Sequence, residues 1–234
     1  MAGALAVKAM ILAAGKGERM RPLTEHCPKP LLMVNGSTLL ERHIVALVAA
    51  GISDIVINVS YLADQIIDFC GDGSRWGCSI EFSVEDEPLE TAGGVIQALP
   101  RLGTEPFLLV SADVLTDFDY CELAEHKLDS DWASLVLVPN PEHHPKGDFG
   151  LSAGRIVQAA AEIDSFTYSG VGMVSPELFH SLEAGKRRIR PVFDRAIESN
   201  RLGGRVWSGA WSDVGTPERL ESAALQERRE TQRS

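Results

Sequence analysis

Apolar and polar positions change period along the first half of the chain. Residues 8–14 form a nearly unbroken apolar run that stops at Gly15, the pattern of a strand buried on both faces. Over 38–50 the period becomes helical: Leu40, Ile44, Leu47 and Val48 fall on one face. Thr38 and Glu41 there fit a capping box, and Gly51 stands where a helix would stop. The same reasoning predicts strands over 54–60, 79–84 and 106–111. It predicts helices over 62–70, ending at Gly71, and over 91–99, stopped by Pro100. Strand and helix in alternation imply a mostly parallel, doubly wound α/β sheet with helices on both faces. Ligands of such sheets bind beyond the carboxyl ends of the strands, where Gly15 and Asp113 both fall.

The second half is less regular. Short strands are predicted over 132–139, 149–152, 168–174 and 205–211, and helices over 176–182, 190–199 and 217–228. This pattern suits a smaller antiparallel region that completes the site. Residues 226–234 read as a frayed helix end or tail. The length of 234 residues suits a single domain, with 1–118 as a nucleotide-binding half and 119–234 as a sugar-phosphate-binding half. No internal repeat or low-complexity segment interrupts it.

Charge and cysteine content narrow the function. A net charge of −11 argues against a protein that coats nucleic-acid phosphates. Against that acidic background, Lys8, Lys16, Arg19, Arg21 and Lys29 cluster near the start, enough for a small phosphate-bearing ligand. Cys27, Cys70, Cys78 and Cys121 have neither C-x-x-C nor zinc-finger spacing and read as reduced thiols. The longest apolar run, 10–14, is far short of a membrane span, and no secretory signal pattern is present. The expectation is a cytoplasmic protein with no membrane partner.

The densest chemistry is Ala13-Ala14-Gly15-Lys16-Gly17-Glu18-Arg19-Met20-Arg21-Pro22-Leu23-Thr24, followed by Pro28-Lys29-Pro30. A glycine turn after a buried strand lets backbone N–H groups approach phosphate oxygens, and Arg19 and Lys29 are placed to neutralise them. It is neither a Walker A loop nor a dinucleotide fingerprint. Gly15-x-Gly17 alone is equally an ordinary turn. Asp113 and Asp213 each follow a strand-like run, and two converging carboxylates can hold Mg²⁺, although a single Asp at a strand end is usually a turn or helix cap. Glu87-Pro88-Leu89-Glu90-Thr91-Ala92-Gly93-Gly94 also reads as a helix start, with Thr91 as cap.

The 13–20 segment with Pro28-Lys29-Pro30 resembles the signature of the sugar-phosphate nucleotidyltransferases. Asp72-Gly73-Ser74-Arg75, Glu87 to Thr91, Pro141-x-His143-His144, Gly147-Asp148-Phe149 and Trp211 to Thr216 extend the resemblance over nearly the whole chain. It implies a Rossmann-like fold and transfer of a nucleotidyl group, uridylyl from UTP, to a sugar 1-phosphate, with release of pyrophosphate. The implied acceptor is N-acetylmuramate 1-phosphate, in cell-wall recycling. It implies Lys29, Asp113 and Arg19 as catalytic residues and Asp113 and Asp213 as Mg²⁺ ligands. Ala14, Gly15, Gly17, Glu18, Arg19, Lys29, Glu87 and Gly93 would contact the nucleotide, and Ser111, Asp148, Glu162 and Gly170 the sugar phosphate.

Two positions depart from the family pattern. Ser111-Ala112 precede Asp113 where Asn-Gly or Gly is common, and Ala92 replaces a usual glycine. They bear on the sugar and the rate, and they keep two alternatives open: glucose or mannose 1-phosphate as acceptor, or a catalytically weak nucleotide-binding regulator. His143-His144 lacks a third ligand at metal spacing and reads as a loop or substrate-side contact. Lys186-Arg187-Arg188 reads as a solvated basic loop. Trp207 and Trp211 read as packing residues sharing one strand face.

Overall fold

The computed structural model describes residues 7–231. In chain order the elements are β1 (Ala9–Leu12), β2 (Met33–Val34), β3 (Ser37–Thr38), α1 (Leu39–Ala49), β4 (Asp54–Val59), α2 (Ala63–Cys70), β5 (Ser79–Val84), α3 (Glu90–Leu102), β6 (Phe107–Ser111), β7 (Val114–Thr116), α4 (Cys121–Ala124), β8 (Ala133–Val138), β9 (Phe149–Ser152), β10 (Arg155–Gln158), β11 (Ser165–Val174), α5 (Arg190–Glu198), β12 (Leu202–Val206), β13 (Trp211–Asp213) and α6 (Pro217–Thr231). Helix α6 takes in the expected frayed end as far as residue 231. Residues 232–234, like 1–6, lie outside the described residues.

One nine-stranded sheet runs in the order β5-β4-β1-β6-β11-β8-β12-β10-β9. Its first four strands are parallel, as the alternating pattern predicts. β11 then joins β6 antiparallel, so the antiparallel region is built into the same sheet. Only the β12–β8 pair is parallel beyond that point. Two short ribbons, β2–β3 and β7–β13, lie outside this sheet.

The period of two in the strands places the core on both faces. Ile11, Ile57 and Val110 pack under α1, α2 and α4, whereas Met10, Val56 and Leu109 pack under α3 and α5. Helix α1 is positioned by Leu39, Leu40, Ile44 and Leu47, all fully buried and each contributing on the order of 2 kcal/mol. Thr38 Oγ1 accepts from Glu41 N at 3.0 Å, but the Glu41 carboxylate accepts from Trp76 Nε1 instead of closing the capping box. Gly51, at φ +80°, ends the helix: its N–H reaches Val48 O and that of Ile52 reaches Leu47 O, a Schellman pair.

The structure differs from the sequence reading at several elements. Helix α3 continues past Pro100 to Leu102, because the proline falls in the last turn and Leu102 is buried in the core. The predicted strand over 205–211 is two strands, β12 and β13, parted at Ser208-Gly209. Trp207 and Trp211 therefore share no strand face. Trp207 Nε1 donates to Asp117 Oδ1, and Trp211 Nε1 to Ser169 O. Residues 176–179 form a 3-10 turn, and the short strands β2, β3, β7 and β10 carried no readable period. All four cysteines are free thiols, and burial pushes Cys70 up to about 12. No helix among the described residues is long and apolar enough to cross a membrane.

Candidate active site

The carboxyl ends of β1, β4, β5 and β6 open into a cleft with two adjoining lobes. One, of about 220 Å³, is walled by Ala13, Asn58, Glu85, Glu90, Thr91 and Ser111, among others. The other, of about 360 Å³, is walled by Lys16, Gly17, Glu18, Arg19, Met20 and Gly215. Gly15, Lys29 and Asp113 line both lobes. Ala14 also lines the first. The expected nucleotide residues of the first loop thus meet at one place.

The loop shape follows from a few contacts. Gly17 sits at φ +63°, and a Cβ there would lie 3.0 Å from Thr24 and 3.1 Å from Lys29. Thr24 Oγ1 donates to Gly17 O at 2.8 Å. This packing carries Lys29 beneath the loop with only its end free. Lys29 Nζ pairs with Asp113 Oδ2 at 2.5 Å; the lysine side chain is 10% exposed and the aspartate 44%. Removing either partner would strand a charge that is largely shielded from water.

Asp213 reaches the same place through the β7–β13 ribbon. Asp213 pairs in register with Val114, and Val214 N donates to Asp113 O at 2.8 Å. Asp213 Oδ2 accepts from Arg219 Nη1 at 2.6 Å. His143 Nε2 lies 2.9 Å from Asp213 Oδ1 and 2.6 Å from Arg219 Nη1. Guanidinium nitrogens only donate, so Nε2 accepts from Arg219 and has no proton to offer Asp213. Oδ1 is therefore buried without a donor among the described residues. An orphaned, buried carboxylate oxygen is costly unless something positive meets it, and this one fits a cation held between Asp213, Asp113 and substrate oxygens. No cluster of three or more His, Cys, Asp or Glu that could hold a metal occurs among the described residues, so two carboxylates are what the chain offers.

The ribbon has its own support. His43 is fully enclosed. Its Nε2 meets Val114 O at 2.9 Å and its Nδ1 meets Tyr120 Oη at 2.7 Å. Burial holds the His43 pKa down to about 4, against the upward pull of the Val114 carbonyl. The neutral ring donates to Val114 O and accepts from Tyr120, fixing the backbone beside Asp113. Beyond the ribbon, α1 and α6 enclose a separate cavity of about 170 Å³, which contains none of the expected site residues.

A second buried network links the strand-end loops. Asn58 Oδ1 accepts from Ala13 N at 2.9 Å, and its Nδ2 donates to Glu85 Oε1 at 2.7 Å. Glu85 Oε2 accepts from Leu89 N at 2.9 Å. The phosphate-side loop is thereby tied to the start of α3. Burial pushes the Glu85 carboxyl upward, opposed by its bonds from Leu89 and Asn58. Neither Asn58 nor Glu85 was singled out by spacing, although each stands at the end of a predicted strand, where such groups belong.

The remaining expected residues are distributed differently. Ser111 lines the cleft, and Gly170, at φ +83°, lets β11 approach it, since a Cβ there would lie 2.8 Å from Ser111 Oγ. Asp148 uses its carboxylate within its own loop, accepting from Tyr168 N at 2.8 Å and pairing with His144 Nε2 at 3.2 Å. Glu162 is exposed in the turn between β10 and β11 and lines neither lobe. Gly93 also stands off the cleft. Its N–H goes to Arg187 O, and a Cβ on it would meet Gly185 O at 2.4 Å, so this glycine admits the 183–189 loop. Glu87 is exposed and lines neither lobe. Thr91 does not cap α3, because Arg187 O takes the N–H groups of Ala92 and Gly93. Lys186-Arg187-Arg188 is therefore partly structural. His143 and Arg219 act on Asp213; Arg219 is six residues beyond it, on the first turn of α6, and was missed.

Comparison with known proteins accords with this geometry. The nucleotidyl transferase family profile matches residues 8–167. The N-acetylmuramate alpha-1-phosphate uridylyltransferase of Neisseria meningitidis serogroup B is 47% identical over 227 residues, covering 93% of this chain and 96% of that protein. The mannose-1-phosphate guanyltransferase of Hypocrea jecorina is 32% identical over 225 residues, covering 90% of this chain but 61% of that longer protein. A structure from Bacillus anthracis, solved with sucrose and provisionally assigned as a glucose-1-phosphate thymidylyltransferase, superposes with a TM-score of 0.85 at 22% identity, covering 95% and 96% of the two chains. That likeness is one of fold. With a profile spanning well over half its length and a relative nearly half identical from end to end, the chain belongs to the nucleotidyl transferase family and is a nucleotidyltransferase.

Proposed function

We propose that the chain transfers a uridylyl group from UTP to N-acetylmuramate 1-phosphate, giving the nucleotide-sugar and pyrophosphate, with Mg²⁺ as cofactor and cell-wall recycling in the cytoplasm as its setting. The observation that carries the chemistry is the meeting of Lys29, Asp113 and Asp213 at the junction of the cleft lobes. Likeness to the Neisseria uridylyltransferase carries the choice of substrates. The likeness to mannose-1-phosphate guanyltransferases favours a second acceptor class, mannose or glucose 1-phosphate.

An ionised phosphate oxygen of the sugar 1-phosphate attacks the α-phosphorus of UTP in line. The bond to the β-phosphate oxygen breaks, and pyrophosphate leaves. The nucleophile is already ionised near neutral pH, so no side chain has to remove a proton. What the chain supplies is position and charge. The 13–17 backbone approaches the triphosphate, and Lys16, Arg19 and Lys29 offset its charge. Lys29 is held in place by Asp113 and by the packing of Gly17. Asp113 and Asp213 would hold Mg²⁺, which supplies neutralisation of phosphate oxygens in the transition state. Arg219 and His143 hold Asp213 in its rotamer. Ser111 and Gly170 form the wall shared with the sugar phosphate.

The test is pyrophosphate release with Mg²⁺, the common nucleoside triphosphates being crossed against several sugar 1-phosphates. Release with UTP and the muramate ester is expected. Release with another pair keeps the chemistry and replaces the substrate. Folded protein that binds nucleotide and releases nothing with any pair overturns the proposal.

A further inference from the structure

Among the described residues, six that are not glycine have a positive φ, and Glu90 alone of these lines the cleft. Its φ of +58° is a conformation that a residue with a Cβ resists and glycine takes freely. Such outliers persist where the surroundings hold them, and they concentrate at ligand-contacting positions. Here the flanking peptides are clamped. Leu89 N goes to Glu85, Leu89 O accepts from Arg187 N, and Ala92 N and Gly93 N go to Arg187 O. A glycine would meet the same backbone demands without strain, so the side chain itself calls for an explanation.

The cleft is sorted by charge. Lys16, Arg19 and Lys29 stand in or beside the second lobe, whereas Glu85 and Glu90 line the first. Phosphates are drawn to the cations and repelled by the carboxylates, which leaves the first lobe to the uncharged nucleoside. Glu85 is 3% exposed, with both oxygens already accepting internal bonds. Glu90 is one-third exposed, and Arg188 Nε stands 3.2 Å from its Oε2. That arginine side chain is 82% exposed, so the pair is weak and can yield.

We infer that Glu90 is a specificity-determining residue whose carboxylate reads the ring N–H of the base, which selects uracil- or guanine-type nucleotides over cytosine and adenine. An ionised carboxylate accepts and cannot donate. Uracil N3 and guanine N1 carry a hydrogen, whereas cytosine N3 and adenine N1 present a lone pair that the carboxylate repels. This inference rests on the nucleotidyl-transfer reading of the cleft and goes beyond it by naming the group that chooses the base.

UTP and CTP differ little in size, so their ratio isolates the contact. The experiment compares kcat/KM for UTP and CTP by pyrophosphate release, and their binding by calorimetry, in the wild type, Glu90→Gln and Glu90→Gly. Glutamine keeps the bulk and can turn its NH₂ toward cytosine. The UTP/CTP ratio is expected to fall about tenfold or more in both variants, the scale of one charged hydrogen bond lost. The thermal midpoint should not fall in Glu90→Gly, because glycine relieves the backbone. Ratios within about twofold of wild type in both variants overturn the inference, as does a wild type that takes UTP and CTP alike. A wild type that releases no pyrophosphate but binds UTP over CTP, with the preference erased by Glu90→Gln, sinks the proposed reaction and leaves this inference standing.

Discussion

The parallel and antiparallel halves of the sheet deliver their groups to the cleft in different ways. In the parallel half, β1, β4, β5 and β6 end side by side, and Ala13, Asn58, Glu85 and Asp113 stand at those ends because the strands do. In the antiparallel half no strand terminus of the main sheet brings a carboxylate into either lobe. Asp213 arrives on the side ribbon, pinned by Arg219 and aligned through Val114. Asp148 spends its carboxylate on its own loop. A parallel sheet therefore builds a site from its topology, whereas the antiparallel extension needs added contacts to bring one residue in.

The largest expected effect probes the two carboxylates. Asp113→Ala or Lys29→Ala should each lower turnover about a hundredfold or more, as when one key electrostatic group is lost. Arg219→Ala, which leaves Asp213 in place but unpinned, should cost about tenfold. Pyrophosphate release reads both, and equal losses would erase the distinction between a group set by strand ends and one set by added contacts.

A smaller effect tests the network of the parallel half. Asn58→Ala leaves Ala13 N and Glu85 Oε1 unpaired in a buried setting, for a loss of about 3 kcal/mol of stability. Denaturant unfolding measures it. KM for the nucleotide should rise while KM for the sugar phosphate holds; a rise in both alike would show that the two sides are not separately built.

The smallest effect concerns pH and the ribbon. The folded-state pKa of His43 lies near 4, below its ordinary 6.5. Between those values the unfolded chain takes up a proton that the folded one refuses, so stability falls as pH drops through that window. The full loss is roughly 3 kcal/mol, reached near pH 4. Thermal unfolding across this range should show the decline, and His43→Gln should flatten its His43 share. Glu85, raised by burial, acts in the opposite sense, since its contribution is lost as pH rises. An unchanged slope in His43→Gln would rule out the histidine as its source.

These contrasts explain what was legible in the sequence. The buried strands and the glycine turn of residues 9–17 are local patterns, and the loop residues beside them were readable from spacing. Lys29 and Asp113 could be nominated separately, but their pairing across 84 positions could not. Arg219, Asn58 and Glu85 act through partners brought near by folding, and no period or motif marks them. The expected placements of Gly93 and Glu87 on the cleft failed because both were inferred from the loop as a whole, whereas contact with residues 185–187 decides which way each residue of that loop faces.

That same contact has a consequence for biosynthesis. The first free N–H groups of α3 find their acceptor at Arg187 O, nearly a hundred residues downstream. A nascent chain that has emerged through β6 holds the strands of the parallel half but not the clamp on the base side of the cleft. The wall that faces the nucleotide is finished only when the ribosome has released most of the protein, so partial chains should not sequester the nucleotide pool.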